Sequence, residues 1–210
     1  MEQKTAIVIG ASTGIGAATA EALAQQYKKI AITSFRHPEK LKEVQQKILA
    51  QGTDCYAETG DAGDFTFVKQ FIEHVTEQFG EKIDLLVNNA GISYVGLLTD
   101  MDEMDWKRII DTNITSVFNT CRQVVPYMVH AHKGRIINIS SVWGNVGASC
   151  EVAYSATKGA VNGNIAAAQL EPGRELTVIC GNNGQGKTNL LEAIWLLTGG
   201  KKNSVRKDKT

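Results

Sequence analysis

Tyr154 and Lys158 stand four residues apart in a stretch with helical spacing, so their side chains share one face. A free phenol titrates near 10, too high for efficient proton exchange at neutral pH, and a neighbouring ammonium favours the phenolate. Ser141 leaves the end of an apolar run thirteen residues before Tyr154, where its hydroxyl can hydrogen-bond a substrate carbonyl. Two glycine-rich loops accompany this set. In Gly10-Ala11-Ser12-Thr13-Gly14-Ile15-Gly16, the three glycines let the backbone turn tightly and approach a pyrophosphate, with helix-terminal amides and dipole behind it. Taken alone, that pattern also describes an ordinary strand-to-helix turn, and a Tyr/Lys pair at this spacing also decorates plain helix surfaces. Their joint occurrence sets them apart. The second loop, Gly181-Asn182-Asn183-Gly184-Gln185-Gly186-Lys187-Thr188, matches the phosphate-binding pattern G-x-x-x-x-G-K-[ST]. In such loops amide hydrogens cradle phosphates, here with Lys187 on the β/γ-phosphates and Thr188 on Mg²⁺. Gly181, Gly184, Gly186, Lys187 and Thr188 are therefore a second candidate phosphate set, for ATP and Mg²⁺. A chain of 210 residues has room to complete one of the two chemistries.

The elements that must position these residues alternate from the start. Residues 5–10 form a short β-rich run, and residues 14–26 carry Ile15, Ala18, Ala22 and Leu23 at helical spacing. Residues 29–34 read as a second strand and 38–51 as a second helix, with Pro38 in its first turn. A weak strand near 54–58 precedes a helix over 65–79 that Gly80 ends. Residues 83–88 form a buried central strand, 102–131 a long helical region, 134–140 a fifth strand and 152–168 another helix. This rhythm predicts an α/β, doubly wound parallel sheet with helices on both faces. Ligands of such sheets bind beyond the strand C-termini, where the strand order reverses, and the motifs follow strands one, four and five.

Composition narrows the setting. Hydrophobic content of 43% and charged content of 21% suit a globular protein with a real core. Net charge is zero, so no global field attracts nucleic acid or an anionic membrane. The basic cluster of Lys201, Lys202, Arg206, Lys207 and Lys209 reads as a solvated tail rather than a nucleic-acid contact. Cys55, Cys121, Cys150 and Cys180 are widely spaced, and His130 and His132 fall on different helix faces, so no metal site is expected. Free thiols, no signal peptide and no apolar run of about 20 residues lead to the expectation of a cytoplasmic, non-membrane protein.

Residues 1–163 resemble the short-chain dehydrogenase/reductase family. The likeness rests on Gly10–Gly16, Asn88-Asn89-Ala90-Gly91, Asn113, Asn138-Ile139-Ser140-Ser141 and Tyr154-Ser155-Ala156-Thr157-Lys158, all in family order and spacing. Ile9 departs from the Thr that usually precedes the first glycine. The resemblance implies a Rossmann-like fold and assigns catalysis to four residues. Tyr154 is the proton donor, Ser141 steadies the substrate oxygen, Lys158 lowers the Tyr154 pKa and holds the nicotinamide ribose, and Asn113 supports a proton-relay water. It places Gly10, Ser12, Thr13, Gly14, Ile15, Gly16, Asp61, Ala62, Asn89, Ala90 and Gly91 on the dinucleotide, with Tyr154 and Lys158. Ser34-Phe35-Arg36 at the end of strand two offers no acidic residue for the ribose hydroxyls. Arg36 can instead pair with a 2′-phosphate, which favours NADP(H) over NAD(H); the alternative is a merely solvated Arg36. Within the family the pattern is similar to 3-oxoacyl-acyl-carrier-protein reductases. The stretch 143–152 looks more like a subgroup acting on the 5-aminopentanone modification of elongation factor P. A small-molecule or carrier-bound ketone, or a modified elongation factor P, is the implied partner. The family associates through helices corresponding to 102–131 and 152–168, which implies a homo-oligomer.

Residues 164–200 resemble the N-terminus of the RecF DNA-repair ATPase, through Leu170-Glu171-Pro172-Gly173-Arg174-Glu175-Leu176, the loop 181–188 and Asn189-Leu190-Leu191-Glu192-Ala193-Ile194. This segment lacks any acidic Walker B strand or signature motif, parts that hydrolysis needs to hold Mg²⁺ and position water. The expected organisation is a dehydrogenase core over 1–163, a P-loop segment over 164–200 and a basic tail over 201–210, with the C-terminal part atypical for the family. An inactive hybrid is the third reading. An alternative placement lets residues 176–180 fill the sixth strand position of the dehydrogenase sheet.

Overall fold

The computed structural model describes residues 3–162 and the backbone of residues 176–179. Six parallel strands make one sheet: β1 Thr5–Ile9, β2 Lys29–Ser34, β3 Asp54–Thr59, β4 Leu85–Asn88, β5 Arg135–Ile139 and β6 Leu176–Ile179. Their order is β3-β2-β1-β4-β5-β6, so the strand order reverses between β1 and β4. The cleft at that reversal opens at the strand C-termini. Register sets Ile9 beside both Thr33 and Asn88, and Asn88 beside Asn138, so the loops after β1, β2, β4 and β5 leave the sheet at one level.

Neighbouring residues of β1 feed opposite cores, as a strand buried on both faces requires. Ala6 and Val8 pack with Leu23, Leu41, Val44 and Ile48, from helices α1 (Gly14–Leu23) and α2 (Pro38–Ala50). Ile7 and Ile9 pack on the other side with Phe71, Ile72 and Val75 of α3 (Phe65–Phe79), and with Val124 and Met128 of α5 (Ser116–His130). Each helix shows the spacing that makes such a stripe. Asp64 caps α3 by accepting from the Thr66 amide at 2.7 Å, and Gly80, at φ +89°, ends it.

The structure differs from the sequence expectations in detail. The central strand begins at Leu85 rather than residue 83, and the fifth covers Arg135–Ile139. The helical region after residue 102 is α4 (Glu103–Ile110) and α5 joined by a π-helical turn, Asp111–Thr115. A short helix α6 (Trp143–Val146) stands between the fifth strand and the next helix, where no element was expected, and α7 is described over Val152–Ala160. β6 pairs in parallel with β5, Ile179 opposite Ile139. The strand that leads into the second glycine loop thus occupies the sixth position of this sheet. The second phosphate set itself (Gly181, Gly184, Gly186, Lys187 and Thr188) lies outside the described residues, as does Cys180. Cys55, Cys121 and Cys150 are free thiols. Among the described residues no helix is long and apolar enough to cross a membrane, and no group of three metal-ligating side chains forms.

Candidate functional site

The first glycine loop turns directly off β1. Gly10 and Ala11 amides both donate to the Thr33 carbonyl, at 2.8 and 2.9 Å, which binds the loop to β2. Gly10 has φ +81°, and a Cβ there would stand 2.7 Å from the Ala90 Cα. Only glycine meets both demands. A Cβ at Gly16 would overlap the Gly10 carbonyl oxygen and approach Asn89 Nδ2 to 2.5 Å, whereas Gly14, at φ +57°, faces open space. Asn89 Nδ2 donates to the Gly10 carbonyl at 2.8 Å, tying the loops after β1 and β4 together. Thr13 is extended and its hydroxyl makes no capping bond, so the first amides of α1 are left for another acceptor.

These loops wall a cavity of about 390 Å³. Gly10, Ser12, Thr13 and Ile15 line it from the first loop, and Arg36 from the loop after β2. Asp61 and Ala62 line it after β3, and Asn89, Ala90 and Gly91 after β4. Gly14 and Gly16 shape the turn rather than the wall. Ser12 Oγ accepts from Ser34 Oγ at 2.7 Å. Among the described residues no carboxylate pairs with Arg36. Arg108 of α4, Thr112 and Ser116 also reach the cavity, and sequence reasoning missed them because their register depends on the π turn.

The second cluster begins where the cavity ends. A Cβ on Gly91 would lie 3.4 Å from Lys158 Nζ and 3.5 Å from Asn113 Oδ1, so this residue borders both the cavity and the cluster. Lys158 is 4% exposed and donates to the Ile139 carbonyl at 2.8 Å, with Nζ 5.6 Å from the centre of the Tyr154 ring. Ser141 is buried at the end of β5, hydrogen-bonded to Tyr154 and accepting from the Trp143 amide at 3.3 Å. Asn113 sits in the π turn, fully used. Its Oδ1 accepts from the Ile92 amide at 2.8 Å, and its Nδ2 donates to the Ile92 carbonyl and to Thr157 Oγ1, both at 2.9 Å. Thr157 Oγ1 in turn donates to the Tyr154 carbonyl at 2.8 Å. With both amide hydrogens taken, the Asn113 side chain has none left to donate to a water.

A second expectation concerned charge. Burial pushes the Tyr154 phenol above its ordinary value of 10.0; a hydrogen bond from Ser141 opposes this and the Glu151 carboxylate adds to it. Burial also brings the Lys158 ammonium from 10.5 down to about 8. Burial outweighs the expected lowering of the phenol, because both groups lie in a desolvated site that disfavours charge. The arrangement can still donate a proton from Tyr154 to an oxygen held by Ser141, with a cation beneath the ring.

The whole site fits an extended anionic dinucleotide. Helix-terminal amides and a guanidinium with no carboxylate partner among the described residues face the cavity, two glycines admit close backbone approach, and Lys158 stands at the far end. The likeness to known proteins agrees with this geometry. The family model for the short chain dehydrogenase matches residues 4–196, a span that runs across the second glycine loop. The chain is 42% identical over 160 residues to the 3-oxoacyl-[acyl-carrier-protein] reductase FabG of Staphylococcus aureus strain Mu50, covering 76% of this chain and 65% of that protein. It therefore spans just under two thirds of that relative's length. It is 35% identical over 196 residues to the acetoacetyl-CoA reductase of Cupriavidus necator, covering 92% and 79%. Among solved structures, a metagenomic short-chain oxidoreductase in complex with NADP superposes with a TM-score of 0.84 at 30% identity, over 93% of this chain and 90% of that one. These relatives include neither a P-loop ATPase nor a reductase of elongation factor P, so they lend those finer readings no support. Matched over residues 4–196 and folded accordingly, the chain belongs to the short chain dehydrogenase family.

Proposed function

We propose that this chain reduces a ketone to an alcohol with NADP(H), on the cleft formed by the loops after β1, β2, β3, β4 and β5. The observation that carries this reading is the place of Gly91, which lines the cavity and also faces Lys158 of the Ser141–Tyr154–Lys158 cluster. Bound in the cavity, the dinucleotide supplies a hydride to the carbonyl carbon. Ser141 donates a hydrogen bond to the carbonyl oxygen and fixes its position. Tyr154 hands its phenolic proton to that oxygen as negative charge develops there, and a correctly placed acid of this kind is worth about 10²–10⁴-fold. The phenolate left behind is steadied by the Lys158 ammonium, and a proton from water restores it. A buried Tyr154 that holds its proton at neutral pH suits a donor in the reducing direction. Asn113 keeps the Ile92 backbone and Thr157 in place, and through Thr157 the turn that bears Tyr154.

Cofactor choice rests on Arg36. It lines the cavity at the end of β2 with no carboxylate partner among the described residues, the setting for a ribose 2′-phosphate. For the substrate we favour a 3-oxoacyl thioester, on the likeness to the 3-oxoacyl-acyl-carrier-protein and acetoacetyl-CoA reductases. The organisation we favour joins the core over 1–163 and β6 in one unit. An ATP-binding P-loop has only the motif in its favour, because the strand that should precede it belongs to the dehydrogenase sheet. The test is consumption of NADPH, followed by its absorbance, with acetoacetyl-CoA as substrate. Turnover with NADPH that Tyr154→Phe abolishes supports the mechanism; equal turnover by that variant refutes it.

A further inference from the structure

The adenosine end of the cleft has an organiser outside every motif named above. Residues 60–64 connect β3 to α3, and four of them (Gly60, Asp61, Ala62 and Gly63) line the cavity. Such a connection is free to take several shapes unless its carbonyls and amides are fixed. Within the loop, Asp61 Oδ1 accepts from the Gly63 amide at 2.8 Å and the Asp64 amide donates to the Asp61 carbonyl at 3.0 Å. The carbonyls of Ala62 and Gly63 find their partner on α5. Both are met by one side chain: Asn119 of α5 donates from Nδ2 to the Ala62 carbonyl at 3.1 Å and to the Gly63 carbonyl at 3.0 Å. Asn119 is 2% exposed, and Nδ2 has spent both its hydrogens on that loop. The backbone at Gly63 is also pressed against the π turn, where a Cβ would come within 3.1 Å of the Asp111 carbonyl oxygen.

A buried carboxamide is expensive to desolvate, so it stays in a fold where the bonds it makes are needed. Carbonyls drawn towards α5 are held back from the cavity, which leaves its wall to the side chains and amides of the loop. Six residues earlier on the same helical run, Asn113 treats the loop after β4 in the same manner, bonding the Ile92 amide and carbonyl. One helix thus fixes the backbone at both ends of the cleft through two buried asparagines.

We infer that Asn119 is the positioning residue for the adenosine half of the dinucleotide, holding residues 60–63 in the shape that receives the adenine ring. This rests on the cofactor reading of the cavity given above. Asn119 does not touch the ligand; it acts through the Ala62 and Gly63 carbonyls.

The experiment compares three probes, NADPH, adenosine 2′,5′-bisphosphate and reduced nicotinamide mononucleotide, on the full chain and on Asn119→Leu and Asn119→Ser. Dissociation constants for the two adenosine-containing probes rise about tenfold in Asn119→Leu, in line with the loss of hydrogen bonds that shape a site. Asn119→Ser, which restores one donor, recovers part of that loss, and the mononucleotide binds all three proteins within a factor of about two. Equal weakening of all probes, or unchanged adenosine affinity, overturns the inference. A wild-type chain that binds neither NADPH nor the bisphosphate overturns the cofactor reading itself, and so separates the two failures. A measurement on the wild type serves even where a variant does not fold. The Asn119 side-chain amide protons shift in the NMR spectrum on adding the bisphosphate and stay put with the mononucleotide; no shift with the bisphosphate sinks the assignment.

Discussion

Replacing Lys158 by Met should change how stability responds to pH, in a direction and size that follow from where the ammonium lies. Burial lowers the folded-state pKa from 10.5 to about 8, while the unfolded chain keeps the ordinary value. Below pH 8 both states carry the proton, and the folded state bears the whole desolvation penalty, about 3 kcal/mol at one pKa unit per 1.36 kcal/mol. Between 8 and 10.5 the unfolded state binds the proton and the folded state does not, so stability from this group rises with pH. From pH 7 to pH 9 the gain is about 1 kcal/mol, or about 2–4 °C in Tm for a chain of this size. Two buried thiols work against it: Cys55 is raised to about 12 and Cys121 to about 11 from 9.0, so they keep protons the unfolded chain sheds, and stability falls above 9. The wild-type profile alone therefore looks nearly flat. Both thiols persist in Lys158→Met, and their contribution cancels in the difference between the two proteins. Loss of the bond to the Ile139 carbonyl moves that difference by a constant and leaves its slope alone. The assay is thermal unfolding of both proteins across this pH range, with wild type gaining about 2–4 °C on the variant between pH 7 and pH 9. A gap independent of pH refutes the buried, depressed ammonium.

Four further outcomes follow from the site. Tyr154→Phe lowers kcat for ketone reduction by at least about 10²-fold and leaves the NADPH dissociation constant within about threefold, read by steady-state rates and fluorescence titration. Arg36→Glu places a carboxylate where we locate the 2′-phosphate, raising the NADPH dissociation constant about tenfold or more while NADH binding holds or improves; parallel losses for both cofactors contradict that placement. Gly16→Ala overlaps the Gly10 carbonyl and disrupts the Asn89 bond, so it weakens NADPH binding and lowers Tm. Asn89→Ala, which removes the bond without the overlap, has the smaller effect on both.

The doubly wound sheet was readable because its evidence is local. Alternating apolar runs and helical stripes name each element, and glycines after β1 mark the turn where backbone meets backbone. What sequence missed depends on contacts between distant segments. The π turn at Asp111–Thr115 has no composition signal, yet it sets which residues of α4 and α5 reach the cavity. Asn119 reads as one polar residue on an amphipathic helix until the loop after β3 is laid beside it. The burial that raises the Tyr154 phenol was out of reach of sequence, because four-residue spacing reports a shared face and not how deeply that face is covered. Residues 176–179 show the same limit from the other side. Their apolar pattern suits the strand of a phosphate loop as well as an extra strand of this sheet, and pairing with β5 decides it.

The most direct test of the account is the unfolding midpoint of the full chain with NADPH, with Mg-ATP and with neither. A ligand at a hundred times its dissociation constant adds about 2.7 kcal/mol, a rise of several degrees for a chain of this length. The account predicts that rise with NADPH and none with Mg-ATP. A rise with Mg-ATP alone contradicts it.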